Sequence, residues 1–348
     1  MISVVNHSLK RAALLLSLPL LIVTLLACTP DSAIPNFKLT GFTMGTSYHV
    51  TVVDPRDQFS PQLLQAQIDS LLAEVNQQMS TYIPESELSM LNRVPNKLPF
   101  EVDPALFDLL LQALEISWLS NGAFDVTVDP LVKLWGFGPE KFSVDRVPSQ
   151  AQIEAALANV GYQYLVLDIS NNTVQKTRPV TIDLSAIAKG YGVDQVATLL
   201  RKAGIENFMV EIGGELSVAG NNATGKPWRI AIEQPGPQPG QVHRALAISN
   251  AAMATSGDYR NFFELDGQRY SHTIDPVTGW PVRHNLVSVT VIAQSAAYAD
   301  ALATAIDVMG VSRGMKLANE LGLAVYLISR SANGFTVDYS DAFKVYLD

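Results

Sequence analysis

What most restricts the fold of this chain is a series of short β-branched and apolar runs at 48–53, 164–168, 173–176, 208–212, 228–233, 245–249, 286–293 and 323–329. None exceeds the length of one strand, and turn-forming residues follow several of them, as at Asn171-Asn172 and from Gly220 to Gly225. Such turns predict antiparallel hairpins, because parallel neighbours need a longer crossover. Helical periodicity fills the gaps. Leu64, Ile68, Leu71, Leu72 and Val75 share one face of 62–78, with Ser60-Pro61 as cap and first turn. Asp103-Pro104 opens a helix over 104–119 that Asn121-Gly122 closes. Further helices are expected at 150–160, 185–203, 296–309 and 311–321, and order is expected to begin near Phe42. The mixture predicts the α+β class.

Before this body lies a different kind of segment. Lys10 and Arg11 precede sixteen uncharged residues, Ala12 to Ala27, too short for a permanent span and interrupted by Pro19. The pattern is that of an export signal. Leu25-Leu26-Ala27-Cys28 then resembles a bacterial lipobox, and Cys28 is the only cysteine in the chain. Lipidation would occupy a thiol that has no disulfide partner and supply the multiple acyl chains that stable membrane attachment requires. The expected organisation is a removed signal over 1–27, a lipidated tether over 28–40 and one enzyme body over 41–348. Without the signal the chain keeps 22 basic against 33 acidic residues. No basic cluster suits a phosphate backbone, so nucleic acid is not an expected partner.

Several familiar chemistries lack their minimum parts. No G-x-G-x-x-G follows a strand, and no H-E-x-x-H or G-x-S-x-G occurs. Gly220 to Lys226 copies most of a phosphate loop, but Pro227 replaces the metal-binding hydroxyl, so it reads as a turn. Oxygen ligands remain. Asp300 and Thr304 stand four apart on a predicted helix and so share a face, a pattern equally open to a simple helix-dipole role for Asp300. In 180–194, Asp183 or Ser185 can cap a helix, yet Gly190 and Gly192 then fall inside it at about 1 kcal/mol each. Either close helix packing or the approach of a flat ligand would explain them. His272, delivered by a strand before the turn at Asp275-Pro276, is suited to proton transfer if it has company.

The company is ordered. Thr43-Met-Gly-Thr46, Met79-Ser-Thr-Tyr82, Ser86-Glu87-Leu88, Gly122-Ala-Phe-Asp-Val-Thr127, Asp183-Leu-Ser-Ala-Ile-Ala-Lys-Gly-Tyr191, Gly213-Gly214-Glu215, Ala254-Thr-Ser-Gly-Asp-Tyr259, Ser271-His-Thr-Ile-Asp-Pro276 and Ala299-Asp-Ala-Leu-Ala-Thr304 follow one another as in the ApbE family of flavin transferases, which the chain resembles from about 40 to 346. The resemblance implies a two-lobed, T-fold-like body with antiparallel sheets, flanking helices and an FAD cleft between the lobes. It implies Mg²⁺-dependent transfer of FMN from FAD to a threonine or serine of an acceptor protein, with release of AMP. By position it assigns Met44, Tyr82, Ala123, Phe124, Asp125, Asp183, Lys189 and Ile274 to FAD. Magnesium falls to Asp300, Thr304 and the Ala186 carbonyl, while Ala303 stands where some relatives carry a further carboxylate. His272 is the candidate base. The implied acceptors are flavin-carrying subunits of membrane redox complexes, reached from a periplasmic position on a lipid anchor. Those targets favour the inner membrane, although Thr29 is not the aspartate that marks inner-membrane retention. An FAD pyrophosphatase giving FMN and AMP, or a non-catalytic FAD-binding lipoprotein, stays compatible with the same residues.

Overall fold

The computed structural model describes residues 34–347 except 55, 57, 139–145, 237, 239 and 258–260. The export signal, Cys28, and Asp258 and Tyr259 of the quoted motif therefore lie outside the described residues. In chain order the strands are β1 (Asn36–Thr43), β2 (Thr46–Val53), β3 (Pro99–Glu101), β4 (Leu165–Asp168), β5 (Thr173–Lys176), β6 (Asn207–Ile212), β7 (Glu215–Ala219), β8 (Trp228–Glu233), β9 (Val242–Ile248), β10 (Ala251–Ser256), β11 (Phe262–Leu265), β12 (Gln268–Ser271), β13 (Leu286–Ala293), β14 (Ala324–Ser331) and β15 (Gly334–Tyr339). The helices are α1 (Pro61–Met79), α2 (Glu87–Arg93), α3 (Pro104–Leu119), α4 (Asp129–Leu134), α5 (Gln150–Leu157), α6 (Ala188–Lys202) and α7 (Ala296–Glu320).

Eight strands form the central sheet in the order β1-β2-β6-β7-β10-β13-β14-β15, and every neighbouring pair is antiparallel. The α+β expectation holds. One face is covered by α1, α6 and α7, whose Leu64, Ile68, Leu72, Val196, Leu200 and Ala296 join Val50, Phe208 and Val210 of the sheet in a dry core. On the other face the β8–β9 hairpin and the 3₁₀ turn Asp341–Tyr346 bury Trp228, Ile230, Leu246 and Phe343 against Val218, Met253 and Tyr326. A smaller cluster around Trp135, Ile153, Tyr270 and Ile274 ties α4 and α5 to β12. Trp135 stacks on Tyr270 with centroids 5.5 Å apart and donates its indole N–H to the Gly279 carbonyl at 2.9 Å.

Three expectations need correction. The body begins earlier than the proposed tether boundary, since β1 starts at Asn36 and the Ile34 amide donates to the Ala223 carbonyl. The Gly220–Gly225 turn is not a hairpin, because β7 belongs to the central sheet whereas β8 pairs with β9. Neither Asp183 nor Ser185 caps α6, which starts at Ala188 after an uncapped Ile187; Asp183 instead accepts from the Ser185 amide and hydroxyl. The predicted break between 309 and 311 is present: Gly310 takes φ 73°, ψ 176° inside α7. His284 seals that break by donating from Nε2 to the Asp307 carbonyl at 2.6 Å.

Candidate active site

A cleft of about 590 Å³ opens where the start of α6, the middle of α7, the β6–β7 turn, the 123–128 loop and the segment after β12 converge. Its volume suits a small-molecule ligand. Tyr82, Ala123, Phe124, Asp125, Asp183, Ala186, Lys189, His272, Ile274, Asp300 and Thr304 all line it. Met44 does not: it occupies the β1–β2 turn at φ 49°, with its Cε against Gly192.

Close packing explains the two glycines of α6, Gly190 against the backbone of α7 and Gly192 against side chains of α1, β6 and the β1–β2 turn. A methyl added at Gly190 would stand 2.6 Å from the Ala297 amide nitrogen, and one at Gly192 would meet Met44, Ile212 and Leu72. No side chain fits between α6 and the first turn of α7. Asp194, one turn further along α6, caps that first turn by accepting from the Ala296 and Ala297 amides at 2.8 and 2.9 Å, and Ser295 donates to it at 2.8 Å. Close packing thus fixes α7, and with it Asp300 and Thr304, relative to Lys189.

Asp300 is only 5 % exposed, and its Oδ2 accepts from the Gly190 amide at 3.1 Å. The Lys189 ammonium lies 3.5 Å from the same oxygen and 2.9 Å from Oε1 of Glu215. Glu215 arrives there through the two-residue turn Gly213-Gly214, whose φ values of 59° and 106° favour glycine. Burial, and then the Asp300 charge, push the Glu215 carboxyl up to about 8. Burial likewise raises Asp300. Burial opposes the charge on Lys189, but Asp300 and Glu215 outweigh it and hold the ammonium above its usual range. One ammonium facing two buried carboxylates leaves this corner short of positive charge.

Around that corner the other walls are rigid. Asp125 accepts from the Thr127 amide and hydroxyl and from the Tyr162 amide, at 2.8, 2.6 and 2.8 Å, so it shapes its loop. Burial raises its pKa despite those bonds. The Asp183 amide donates to the Val126 carbonyl, holding the 180s segment against the same loop. His272 faces the Asn261 carbonyl through Nδ1 at 3.0 Å. A carbonyl can only accept, so Nδ1 is the donor in this contact, and Nε2 is the nitrogen that would carry the lone pair in a neutral ring. Tyr82 stands 66 % exposed at the cleft wall.

Among the described residues no three His, Cys, Asp or Glu side chains come together as a metal cluster. The expected donors are of a different kind, namely one carboxylate, one hydroxyl and one carbonyl. They meet the requirement for hard oxygen ligands, and no backbone amide among the described residues donates to the Ala186 carbonyl. The buried Glu215 Oε2 also receives no hydrogen bond. The site therefore fits a small dication.

Glu215 belongs to the Gly213-Gly214-Glu215 motif but has no role assigned by position; its signal in the sequence is a carboxylate placed directly after a two-glycine turn. Sequence reasoning missed Asp307, which lies fully buried seven residues beyond Asp300 and accepts from Thr273, the neighbour of His272, at 3.0 Å. The spacing Asp300, Thr304, Asp307 places all three on one helical face and was open to detection.

Comparison with known proteins agrees with this geometry. The model of the ApbE family matches residues 44–327. An FAD:protein FMN transferase of Vibrio cholerae is 46% identical over 310 residues, covering 89% of this chain and 92% of the relative. One of Haemophilus influenzae is 42% identical over 328 residues, covering 92% and 94%. The solved flavin transferase ApbE of Vibrio cholerae superposes with a TM-score of 0.84 at 44% identity, over 90% of this chain and 99% of that one. The apo flavinyl transferase ApbE of Pseudomonas stutzeri gives 0.83 at 37% identity, over 90% and 97%. With a matching family model and relatives matched over most of their length, this chain belongs to the ApbE family.

Proposed function

We propose that the protein is an FAD:protein FMN transferase that uses Mg²⁺ and esterifies a threonine or serine of its acceptor, releasing AMP. The observation that carries this reading is the convergence of His272, Lys189, Asp300 and Thr304 on one cleft. His272 Nε2 takes the proton of the acceptor hydroxyl as its oxygen bonds to the FMN phosphorus. The bond from that phosphorus to the oxygen bridging to AMP breaks, and AMP leaves with the bridging oxygen. Lys189 places its ammonium where the pyrophosphate carries charge. Asp300, Thr304 and the Ala186 carbonyl would hold Mg²⁺, which supplies the charge neutralisation that phosphoryl transfer requires. Phe124 and Ile274 supply apolar walls, and Asp125 and Asp183 polar ones, for the flavin nucleotide.

The location we propose is the periplasmic face of the inner membrane, with Cys28 lipidated after removal of 1–27. The charged start, apolar run and lone cysteine support it. No helix among the described residues is long and apolar enough to cross a membrane. Acceptors would then be flavin-carrying subunits of membrane redox complexes. Incubating purified protein with FAD, Mg²⁺ and a domain bearing a D-G-A-T-like segment tests the reaction. An acceptor heavier by FMN, with stoichiometric AMP, is expected. Free FMN without acceptor labelling would replace transfer by hydrolysis.

A further inference from the structure

Glu215 takes no part in the reaction just described, yet it is 3 % exposed on the cleft wall and shares an ammonium with Asp300. The two contacts are unequal. Lys189 Nζ is at full hydrogen-bond distance from Glu215 Oε1, 2.9 Å, and at the outer limit from Asp300 Oδ2, 3.5 Å. The lysine is therefore anchored on the sheet, at the start of β7, and only leans toward α7. The β6–β7 turn makes that anchor firm: a methyl at Gly213 would meet Thr46 at 2.8 Å and Lys189 Cδ at 3.3 Å, so the lysine stem is packed as well as paired. Glu215 Oε2 is buried without a donor, an arrangement that costs free energy and that a helix–sheet core has no need of.

We infer that Glu215 is a positioning residue that holds the Lys189 ammonium off Asp300 and so leaves the Asp300 carboxylate available to a divalent cation. The inference rests on the proposed metal role of Asp300. Its physical basis is competition. An ammonium and a dication seek the same carboxylate, and in a poorly screened site the nearer cation wins. With Glu215 ionised, Lys189 has an anionic partner of its own. Without that charge, Asp300 is its nearest carboxylate, and a closed Lys189–Asp300 pair would have to be broken before the metal could bind.

The test is a cycle of Glu215→Gln, Lys189→Met and the double variant, with Mg²⁺ affinity measured by titration calorimetry on the FAD-free protein. A buffer at pH 9 favours the ionised carboxyl of Glu215. Glutamine preserves shape and a neutral acceptor for Lys189 while removing the charge. E215Q is expected to bind Mg²⁺ about tenfold or more weakly. K189M is expected to raise affinity by a larger factor in the E215Q background than in the unaltered sequence, because only there is the competitor free. Unchanged affinity in E215Q would overturn the inference. Equal factors would overturn it too, since Glu215 would then act only through its own field. A double variant as weak as E215Q would make Glu215 a ligand instead. Absence of Mg²⁺ binding by the unaltered protein would overturn the metal reading, and the inference with it. Should E215Q fail to fold, Glu215→Asp keeps the charge but withdraws it by one methylene, and the same inequality decides.

Discussion

Replacing Gly190 by alanine sets two large effects against each other. Helix propensity favours the change by about 1 kcal/mol. Packing opposes it, because the new methyl would sit 2.6 Å from the Ala297 nitrogen and equally close to the Ala296 peptide, backbone atoms that cannot rotate away. Relief needs α6 and α7 to part by about 1 Å, an overpacking cost of about 1–3 kcal/mol. The same movement stretches the Gly190 amide bond to Asp300, a bond to a charged group worth about 1.5–3 kcal/mol. The net expectation is a loss of about 3 kcal/mol. For a body of roughly 300 residues this lowers Tm by about 5 °C. Gly192→Ala is the internal control, since its methyl meets the ends of the Met44, Ile212 and Leu72 side chains, which can shift, and it should cost about 1 kcal/mol or less. Calorimetric melts of both variants without FAD decide the matter. A Gly190→Ala protein as stable as the parent, or more so, would refute the packing explanation for this glycine.

His272→Ala should keep FAD affinity, read by flavin fluorescence, and slow flavinylation about 10²-fold or more; unchanged transfer would remove it as the base. Asp300→Ala should abolish the Mg²⁺ dependence of turnover, and a variant with the parent's metal response would contradict its assignment. Glu215 folds with its carboxyl near 8 against 4.5 for the free group, so between those values the folded state keeps a proton that the unfolded chain releases. On this account metal-free protein loses stability as pH rises through that window, and E215Q should show a shallower decline of Tm; an identical slope would refute it. Cys28→Ser should move the protein from the membrane to the soluble fraction while sparing transfer to a soluble acceptor, and loss of that transfer would show that the anchor takes part in the chemistry.

Where local chemistry settles a boundary, the sequence was readable to the residue. Asp103 caps α3, and Asn121 and Gly122 leave it at φ 52° and 80°, so both ends of Pro104–Leu119 follow from side chains alone. Likewise β5, β8 and β13 were placed without error, β13 because it is a continuous buried run, β5 and β8 because buried residues alternate along them with more exposed ones. The strands that escaped notice include the two rims of the central sheet. In β1 only Leu39 and Thr43 are buried, and in β15 Phe335, Val337 and Tyr339 alternate with polar residues but all six positions are exposed, so neither rim strand carries the continuous buried apolar run that marks a central one. The Gly220–Gly225 turn misled for another reason: a turn fixes a local reversal, but the sheet each strand joins is set by distant partners. In the cleft, the shared helical face of Asp300 and Thr304 was legible because four residues make about one turn, while the metal role comes from the family resemblance. Glu215 was not legible, since its partner Lys189 lies 26 positions earlier on another element and only the fold brings them together.

The position of β1 on the rim of the sheet fixes a length scale for the whole molecule. Ile34, the first described residue, is bonded to Ala223, and an acylated Cys28 would stand six residues before it. Even fully stretched, six residues span only about 20 Å. An acylated Cys28 would thus keep the start of β1 within a thin layer, about that deep, above the lipid headgroups. Within that layer the protein's effective concentration toward a membrane-bound acceptor is high, and beyond it falls to nothing. Selection among acceptors would then depend on altitude as well as on sequence: a threonine close to the bilayer is within range, and the same motif held at the tip of a tall domain is not.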